Sequence, residues 1–320
     1  MDISYWTLLA AVAPVFLIIL AGFVLRRVGW LTIEADHSLL RVCVNVLMPC
    51  LILDSVLGNP ALEIISNLSL PPMVGFATFC LGYLVALPVG RRLQLSDNQA
   101  RTFAFVVGSY NYSYIPIPLV QAFCPRGTMG VLFTHNLGVE IAFWTVGVGI
   151  LTGASLRKGW LKLFNPPVLA IAGSLLLNAL HGSHWLPGFI LKAAHMTGQS
   201  AVPLALILTG ATLADLVCTS WPRLVGIVPT GAIALRLVLL PSVSILLAKY
   251  LPCTDELRRI IVIEAAMPAA MLPIVLAKHF GGDAAKALQV VISTSLLGLL
   301  TIPFWIWFGF FFTGVSLTGH

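Results

Sequence analysis

Glu264 stands inside an apolar run, four residues before Pro268, in the string Glu264-Ala265-Ala266-Met267-Pro268-Ala269-Ala270. Ionisable side chains within long apolar stretches are rare and usually mark ion or substrate paths. A carboxylate kept from water holds a proton more readily, so Glu264 is a candidate proton or cation site. The alternative is a structural carboxylate paired with Arg236. Glu140 and His135 lie in another apolar run, five residues apart, and do not share one helix face. One is expected as a proton relay and the other as an interfacial group. Asp54 faces either the substrate path or the external boundary. A second set of candidates is neutral. Residues 108–121 read GSYNYSYIPIPLVQ, with Asn111, Ser113 and three alternating tyrosines before Pro116 and Pro118. Proline removes a backbone donor and clashes with the preceding turn, so a helix should break here. In lipid a broken backbone is tolerated only where it is buried in protein or lines a cavity. Asn111 and Ser113 would then offer a bound carboxylate neutral hydrogen-bond donors, with Tyr112 packing beside them.

The break has a second copy. Pro116-Ile117-Pro118-Leu119-Val120-Gln121-Ala122-Phe123 aligns with Pro273-Ile274-Val275-Leu276-Ala277-Lys278-His279-Phe280, with four of the eight positions identical. The same offset, 273 − 116 = 157, pairs Arg101 with Arg258. The second copy carries its own breakers, Pro268 and Pro273. Two interrupted apolar segments at matching points of two halves point to the binding site of a secondary transporter. If both helices break and cross, two half-helix N-termini meet, with Pro116 or Pro118 and Pro273 at first helical positions, which proline favours. Each N-terminus carries roughly half a positive charge and free N–H groups, an anion site.

Such segments need a membrane, and composition supplies one. The chain is 58% hydrophobic and 9% charged, with mean hydropathy +0.97, against about 25% charge in soluble domains. It is therefore an integral membrane protein with the lipid bilayer as partner. The net charge of +6 belongs to short loops that set orientation, not to a nucleic-acid surface. The six cysteines form no CxxC pair, so neither a disulfide framework nor a metal site is expected. His181 and His184 lack a third ligand, and no metal is expected there. No GxSxG elbow, HExxH helix or P-loop occurs, which argues against an intramembrane enzyme and an ATP-driven pump. A membrane receptor would not require two matched breaks.

Ten spans of about 20 apolar residues are expected, near 6–25, 39–57, 70–90, 103–123, 131–154, 164–180, 201–217, 224–248, 260–276 and 288–312. The first run has no basic stretch before it and reads as a retained span rather than a signal peptide. On this reading twelve basic residues, including Arg26, Arg91, Arg157, Lys158 and Arg223, lie on one side and five on the other. Both termini are then outside the cytoplasm. Five spans per half is odd, so the halves, about 1–157 and 158–320, form an inverted repeat within a single transmembrane domain. The link at 155–163 is short and basic. The loop 181–199 is expected to form a short surface helix ahead of the seventh span.

Several motifs carry a resemblance: Asn45-Val46-Leu47-Met48-Pro49, the Asn-bearing broken fourth span, Ala201-Val202-Pro203-Leu204, the Glu264–Ala270 string, Gly281-Gly282-Asp283 and Ser293-Thr294-Ser295. With these the chain resembles the auxin efflux carrier family in its bacterial ten-span form, over essentially its whole length. The resemblance implies a fold like the bile-acid symporters and sodium/proton antiporters, with spans four and nine crossing as broken helices. It also implies an elevator-like motion of a core (spans 3–5 and 8–10) against a scaffold (spans 1, 2, 6 and 7) that dimerises. The substrates implied are small organic acids such as malonate or malate, carried across the bacterial inner membrane. The long central loop of larger plant members is missing, so auxin itself is not expected. Kinks at Met48-Pro49 and Val202-Pro203 shape the cavity wall, with Asn45 lining it or touching substrate. No cofactor is expected beyond a coupling proton or sodium. A sodium cage of Glu264, Asn111 and Ser113 ranks second, because the second break offers few side-chain oxygens.

Overall fold

The computed structural model describes residues 5–153, 160–220 and 226–316, and these are helical with no strand among them. Arg157, Lys158, Arg223 and the expected boundary between the halves at 157/158 fall outside the described residues. The helices in order are α1 (Tyr5–Arg27), α2 (Ile33–Val42), α3 (Met48–Val56), α4 (Ile65–Arg92), α5 (Asp97–Gly108), α6 (Pro116–Phe123), α7 (Gly127–Ala142), α8 (Val148–Thr152), α9 (Pro166–Ala179), α10 (Gly188–Gly198), α11 (Ala201–Ser220), α12 (Ile227–Ile233), α13 (Leu240–Tyr250), α14 (Asp255–Ala265), α15 (Leu272–His279) and α16 (Ala284–Thr313). Wide π-turns, Cys43–Leu47, Phe143–Gly147 and Ala234–Leu239, join α2 to α3, α7 to α8 and α12 to α13. With those joins counted, six helical segments among the described residues are long and apolar enough to cross a membrane. The rest of the apolar chain lies in α1, in the shorter α9 and in two interrupted helices, α5/α6 and α14/α15.

Two of the three π-turns stand just before a proline, while the one at Phe143–Gly147 has none beside it. Pro241 cannot donate to Leu237, the carbonyl four residues back. That carbonyl instead accepts Nε1 of Trp305 from α16 at 2.7 Å. The widened turn places Arg236 inward, only 3% exposed. Pro49 stands in the same relation to the π-turn at Cys43–Leu47.

The 181–199 stretch holds the expected short helix ahead of the seventh span, α10. From Gly188 it is helical, only Gln199 and Ser200 separate α10 from α11, and 188–215 is one apolar segment. Ala194 and Gly198 on α10 are buried, Gly198 directly against the backbone of Leu51. Val202-Pro203 falls just past the Gln199-Ser200 interruption of that segment. Pro203 occupies the first turn of α11, where a missing N–H does little harm.

Packing divides the molecule unevenly. α1 lies along α11, and a side-chain carbon on Gly22 or Gly210 would strike the facing backbone at Ile207 or Ile19. Such close approach of small residues is how membrane helices gain contact without a hydrophobic drive. α4 packs on α5 and α7, while α14 packs on α7, α13 and α16. Both interrupted helices are embedded in these contacts.

Candidate functional site

α5 begins with a capping box in which the Ser96 hydroxyl and the Gln99 side chain satisfy each other's backbone N–H groups. It stops at Gly108 because the next seven residues carry β-favouring tyrosines and then Pro116. α14 starts on the Thr254 cap and ends at Ala265, ahead of Pro268 and Pro273. The two interruptions meet. Tyr110 and Ala269 form an isolated antiparallel bridge, with Asn111 N donating to the Pro268 carbonyl at 2.9 Å and Ala270 N to the Ser109 carbonyl at 2.8 Å. Each break thus supplies the backbone partners the other has lost, as a membrane interior demands. The start of α5 is tied to the loop after α15, through Asn98 to the Gly281 carbonyl and Gln99 to Asp283. The two interrupted helices therefore run antiparallel through the crossing.

Successive side chains on extended backbone point to opposite sides, so Tyr110 and Asn111 open on different cavities. Asn111 faces a small cavity of about 20 Å³ lined by Phe16, Ile19, Ile115, Thr209, Leu213, Pro268, Ala269, Met271, Ser295, Leu299 and Ile302. It lies between the α1–α11 pair and the crossing. Asn111 is 8% exposed. Its Oδ1 accepts Tyr114 N at 3.1 Å, capping the turn, and its Nδ2 donates to no described residue. Tyr110 faces the other cavity, about 10 Å³, whose lining includes Thr78, His135, Arg236, Ser244 and Glu264.

Arg236, named from the sequence only as a possible partner of Glu264, has other partners. Its Nε donates to the Met267 carbonyl at 2.9 Å, with a longer contact from Nη2 to Ala265 at 3.5 Å. Its guanidinium lies 4.8 Å from the Tyr110 ring centre, within cation–π range. The carbonyls it serves are those orphaned where α14 stops. Glu264 is 3% exposed, and neither of its oxygens accepts a hydrogen bond from a described residue. No ion pair joins it to Arg236 among the described residues, although both line the same cavity. Glu264 and Asn111 stand on opposite sides of the crossing, so a cage of Glu264, Asn111 and Ser113 is not assembled.

His135 lines the same cavity as Glu264, whereas Glu140 does not line it. The Glu140 carboxylate accepts the Tyr112 hydroxyl at 2.7 Å, Trp144 Nε1 at 2.7 Å and Asn165 Nδ2 at 3.3 Å. Asn136 Nδ2 donates to the Tyr112 carbonyl at 2.9 Å. Ser113 lends its carbonyl to Ile117 N at 3.1 Å. Asp54 of α3 pairs with His195 of α10 at 3.0 Å and lines neither cavity. Asn45 is exposed on its π-turn and lines neither cavity.

Pro116 and Pro273 occupy the first turns of α6 and α15, but one expected feature is corrected. Pro116 and Pro118 have no N–H, and that of Ile117 is already used by Ser113. The α6 terminus therefore offers a dipole and almost no free N–H. Missed by sequence reasoning were Thr209, Asn136 and Asn165. Lone hydroxyls and amides in apolar helices give no periodic signal, and only the crossing shows which of them face it.

A family model described as membrane transport protein matches residues 7–157 and 151–306. An uncharacterized transporter of Methanothermobacter thermautotrophicus is 27% identical over 300 residues, which cover 92% of this chain and 96% of that protein. One from Methanocaldococcus jannaschii is 24% identical with the same coverage. Matched across nearly its full length, and built around two helices broken at the very motifs that carry the resemblance, the chain belongs to the membrane transport protein family of the auxin efflux carriers.

Proposed function

We propose that this chain is a secondary carrier that moves a small organic anion across the membrane by elevator-like alternating access. In this reading it crosses the membrane ten times as two inverted five-span repeats, in a bacterial inner membrane with both termini outside. The α1, α2–α3, α9 and α10–α11 segments form the scaffold, through which two copies pair. The remaining segments form the moving core, and a proton taken up by Glu264 couples to transport.

The observation that carries this reading is the crossing itself, where two backbone interruptions hold each other beside a neutral cavity at the boundary of scaffold and core. A half-helix N-terminus from each break, at Ile115 and Met271, lines that cavity and favours an anion by its dipole. The absence of a lysine or arginine from the cavity lining suits a ligand that must also leave. The α1–α11 pair, locked by its glycines, supports a rigid wall against which the core slides.

The test is Asn111→Ala in purified protein reconstituted into liposomes. Anion flux is expected to fall at least about tenfold, the loss of one or two hydrogen bonds to a charged group. The variant should remain folded, with a stability loss near 1 kcal/mol for the lost turn cap. Undiminished flux would remove the crossing from the transport path.

A further inference from the structure

We infer that Glu140 is a positioning residue that ties the first break to the scaffold, and that its bond to Asn165 is a latch that parts each time the core moves. This rests on the carrier reading above and names a point at which its motion is held.

Glu140 stands on α7 just before the π-turn Phe143–Gly147. Its carboxylate gathers donors from three places in the fold. Tyr112 of the first break donates to Oε1 at 2.7 Å, while Oε2 accepts Trp144 Nε1 at 2.7 Å and Asn165 Nδ2 at 3.3 Å. Among the described residues three donors and no acceptor bond to it, which is what an ionised carboxylate demands. Asn136, one turn earlier on α7, donates to the Tyr112 carbonyl at 2.9 Å. One helix therefore holds Tyr112 by its backbone and by its hydroxyl, and so fixes the extended strand that presents Asn111 to its cavity. The scaffold end is built differently. Asn165 caps α9, its Oδ1 accepting Val168 N at 3.0 Å. Its Nδ2 is shared between Glu140 and the Lys162 carbonyl, the latter at 3.2 Å. The bond to Asn165 is thus the longest of the three, and its donor already has a second acceptor. Short bonds to an ionised group are the strong ones. When α7 and α9, which pack on each other, slide apart, Glu140 stays with Tyr112 and Trp144, and Asn165 lets go.

The latch can be opened without losing the cap, since Asp caps a helix as well as Asn does. Asn165→Asp sets two carboxylates against each other, and adding Glu140→Gln returns a donor to face the new acceptor. Spin labels on exposed Leu84 of α4 and Leu169 of α9, carried by unnatural amino acids, read the core–scaffold distance in the full-length protein in lipid nanodiscs. The parent is expected to show chiefly one distance. Asn165→Asp should raise the population at a second distance about tenfold, the weight of one hydrogen bond to a charged group, with thermal unfolding little changed. The double variant should return most of that population to the first distance, and one as shifted as Asn165→Asp overturns the latch. Tyr112→Phe leaves the Asn165 bond in place and should keep the parent's distribution, so a shift as large as that of Asn165→Asp also overturns it. A second distance brought out by malonate in the parent but absent from Asn165→Asp overturns the latch and leaves the elevator motion standing. A single distance in the parent and every variant, with and without malonate at acidic and neutral pH, overturns the elevator reading and the latch with it.

Discussion

The two interruptions face the same physical problem and solve it with different chemistry. Each leaves the carbonyls at the end of a half-helix without helical partners, inside a membrane where no water can satisfy them. The first break uses neutral groups drawn largely from its own sequence. Ser109 bonds back to Phe105 at 2.6 Å, Asn111 caps Tyr114, and Asn136 from α7 serves the Tyr112 carbonyl. The second break is Ala-Ala-Met-Pro-Ala-Ala and has nothing of its own to offer. It is served by a cation from outside, Arg236, and a carboxylate stands one turn away at Glu264. At the 157-residue offset that aligns Pro116 with Pro273, the counterparts of Arg236 and Glu264 are Phe79 and Val107, by 236 − 157 and 264 − 157. Phe79 packs on Tyr110 with ring centres 4.4 Å apart. So the Tyr110 ring has an aromatic contact from one half of the chain and a guanidinium from the other. The difference separates two jobs. The neutral break presents Asn111 to the scaffold side, and the charged one keeps its ionisable groups behind the crossing.

Removing the cation should break this comparison most severely. Arg236→Met deletes the donor to Met267 and leaves Glu264 without a neighbouring positive charge. Destabilisation of about 3–5 kcal/mol is expected, as for other buried charges stripped of a partner, read by thermal unfolding in detergent. Arg236→Met combined with Glu264→Gln should recover a large part of the loss, since the uncompensated carboxylate is gone. A single variant as stable as the parent would mean that the second break does not depend on the cation.

The neutral side should respond less and independently. Asn136→Leu leaves the Tyr112 carbonyl without its donor, at a cost of about 1–3 kcal/mol for an unsatisfied buried acceptor. Adding Glu264→Gln to it should give no recovery, because the two breaks meet through backbone rather than through these side chains. Recovery in the double variant would show that the breaks share one electrostatic network and would dissolve the distinction between them.

The breaks themselves were legible in the sequence, though not from single prolines. Pro14, Pro71, Pro72, Pro88 and Pro303 sit inside continuous helices, so proline alone did not mark a break. The clustering of Pro116 with Pro118 and of Pro268 with Pro273, and the repetition of Pro116 at Pro273, announced the pair. The starts of α5 and α14 were placed too late, near 103 and 260, because the capped polar first turns from Ser96 and Thr254 fall outside the apolar runs. What the sequence withheld was direction. Whether Tyr110 or Asn111 faces the scaffold depends on the register of a single antiparallel bridge, which no periodicity encodes. The sequence offered only Glu264 as a partner for Arg236, because the backbone carbonyls it does bond carry no side-chain signature. Asn45 and Glu140 look alike as polar residues in apolar runs, yet one is exposed on a π-turn and the other is held by Tyr112, Trp144 and Asn165. The helical continuation from α10 into α11 was hidden because Gln199-Ser200 and Pro203 read as a loop followed by a kink.

The smallest change in stability, and the sharpest test of what the charged side is for, comes from Glu264→Gln. The amide keeps the shape and removes the charge, and Arg236 keeps the Met267 carbonyl and the Tyr110 ring as partners, so the loss should be smaller than for Arg236→Met, about 1–2 kcal/mol. Function should change more. The groups facing Glu264 are Tyr110 from the first break, His135 from α7 and Arg236 from the π-turn, with the hydroxyls of Thr78 and Ser244 completing the lining. Arg236 stays charged at any physiological pH, so a proton arriving behind the crossing is left to Glu264 or His135. If Glu264 is the acceptor, anion flux in liposomes loses its dependence on pH in the variant while the affinity for the anion, set on the other side of the crossing, is kept. A profile identical to the parent's passes the proton to His135, and His135→Gln then becomes the deciding measurement. Loss of anion affinity with no change in the profile would mean instead that charge behind the crossing is felt by the ligand in front of it, and that the two sides are one site.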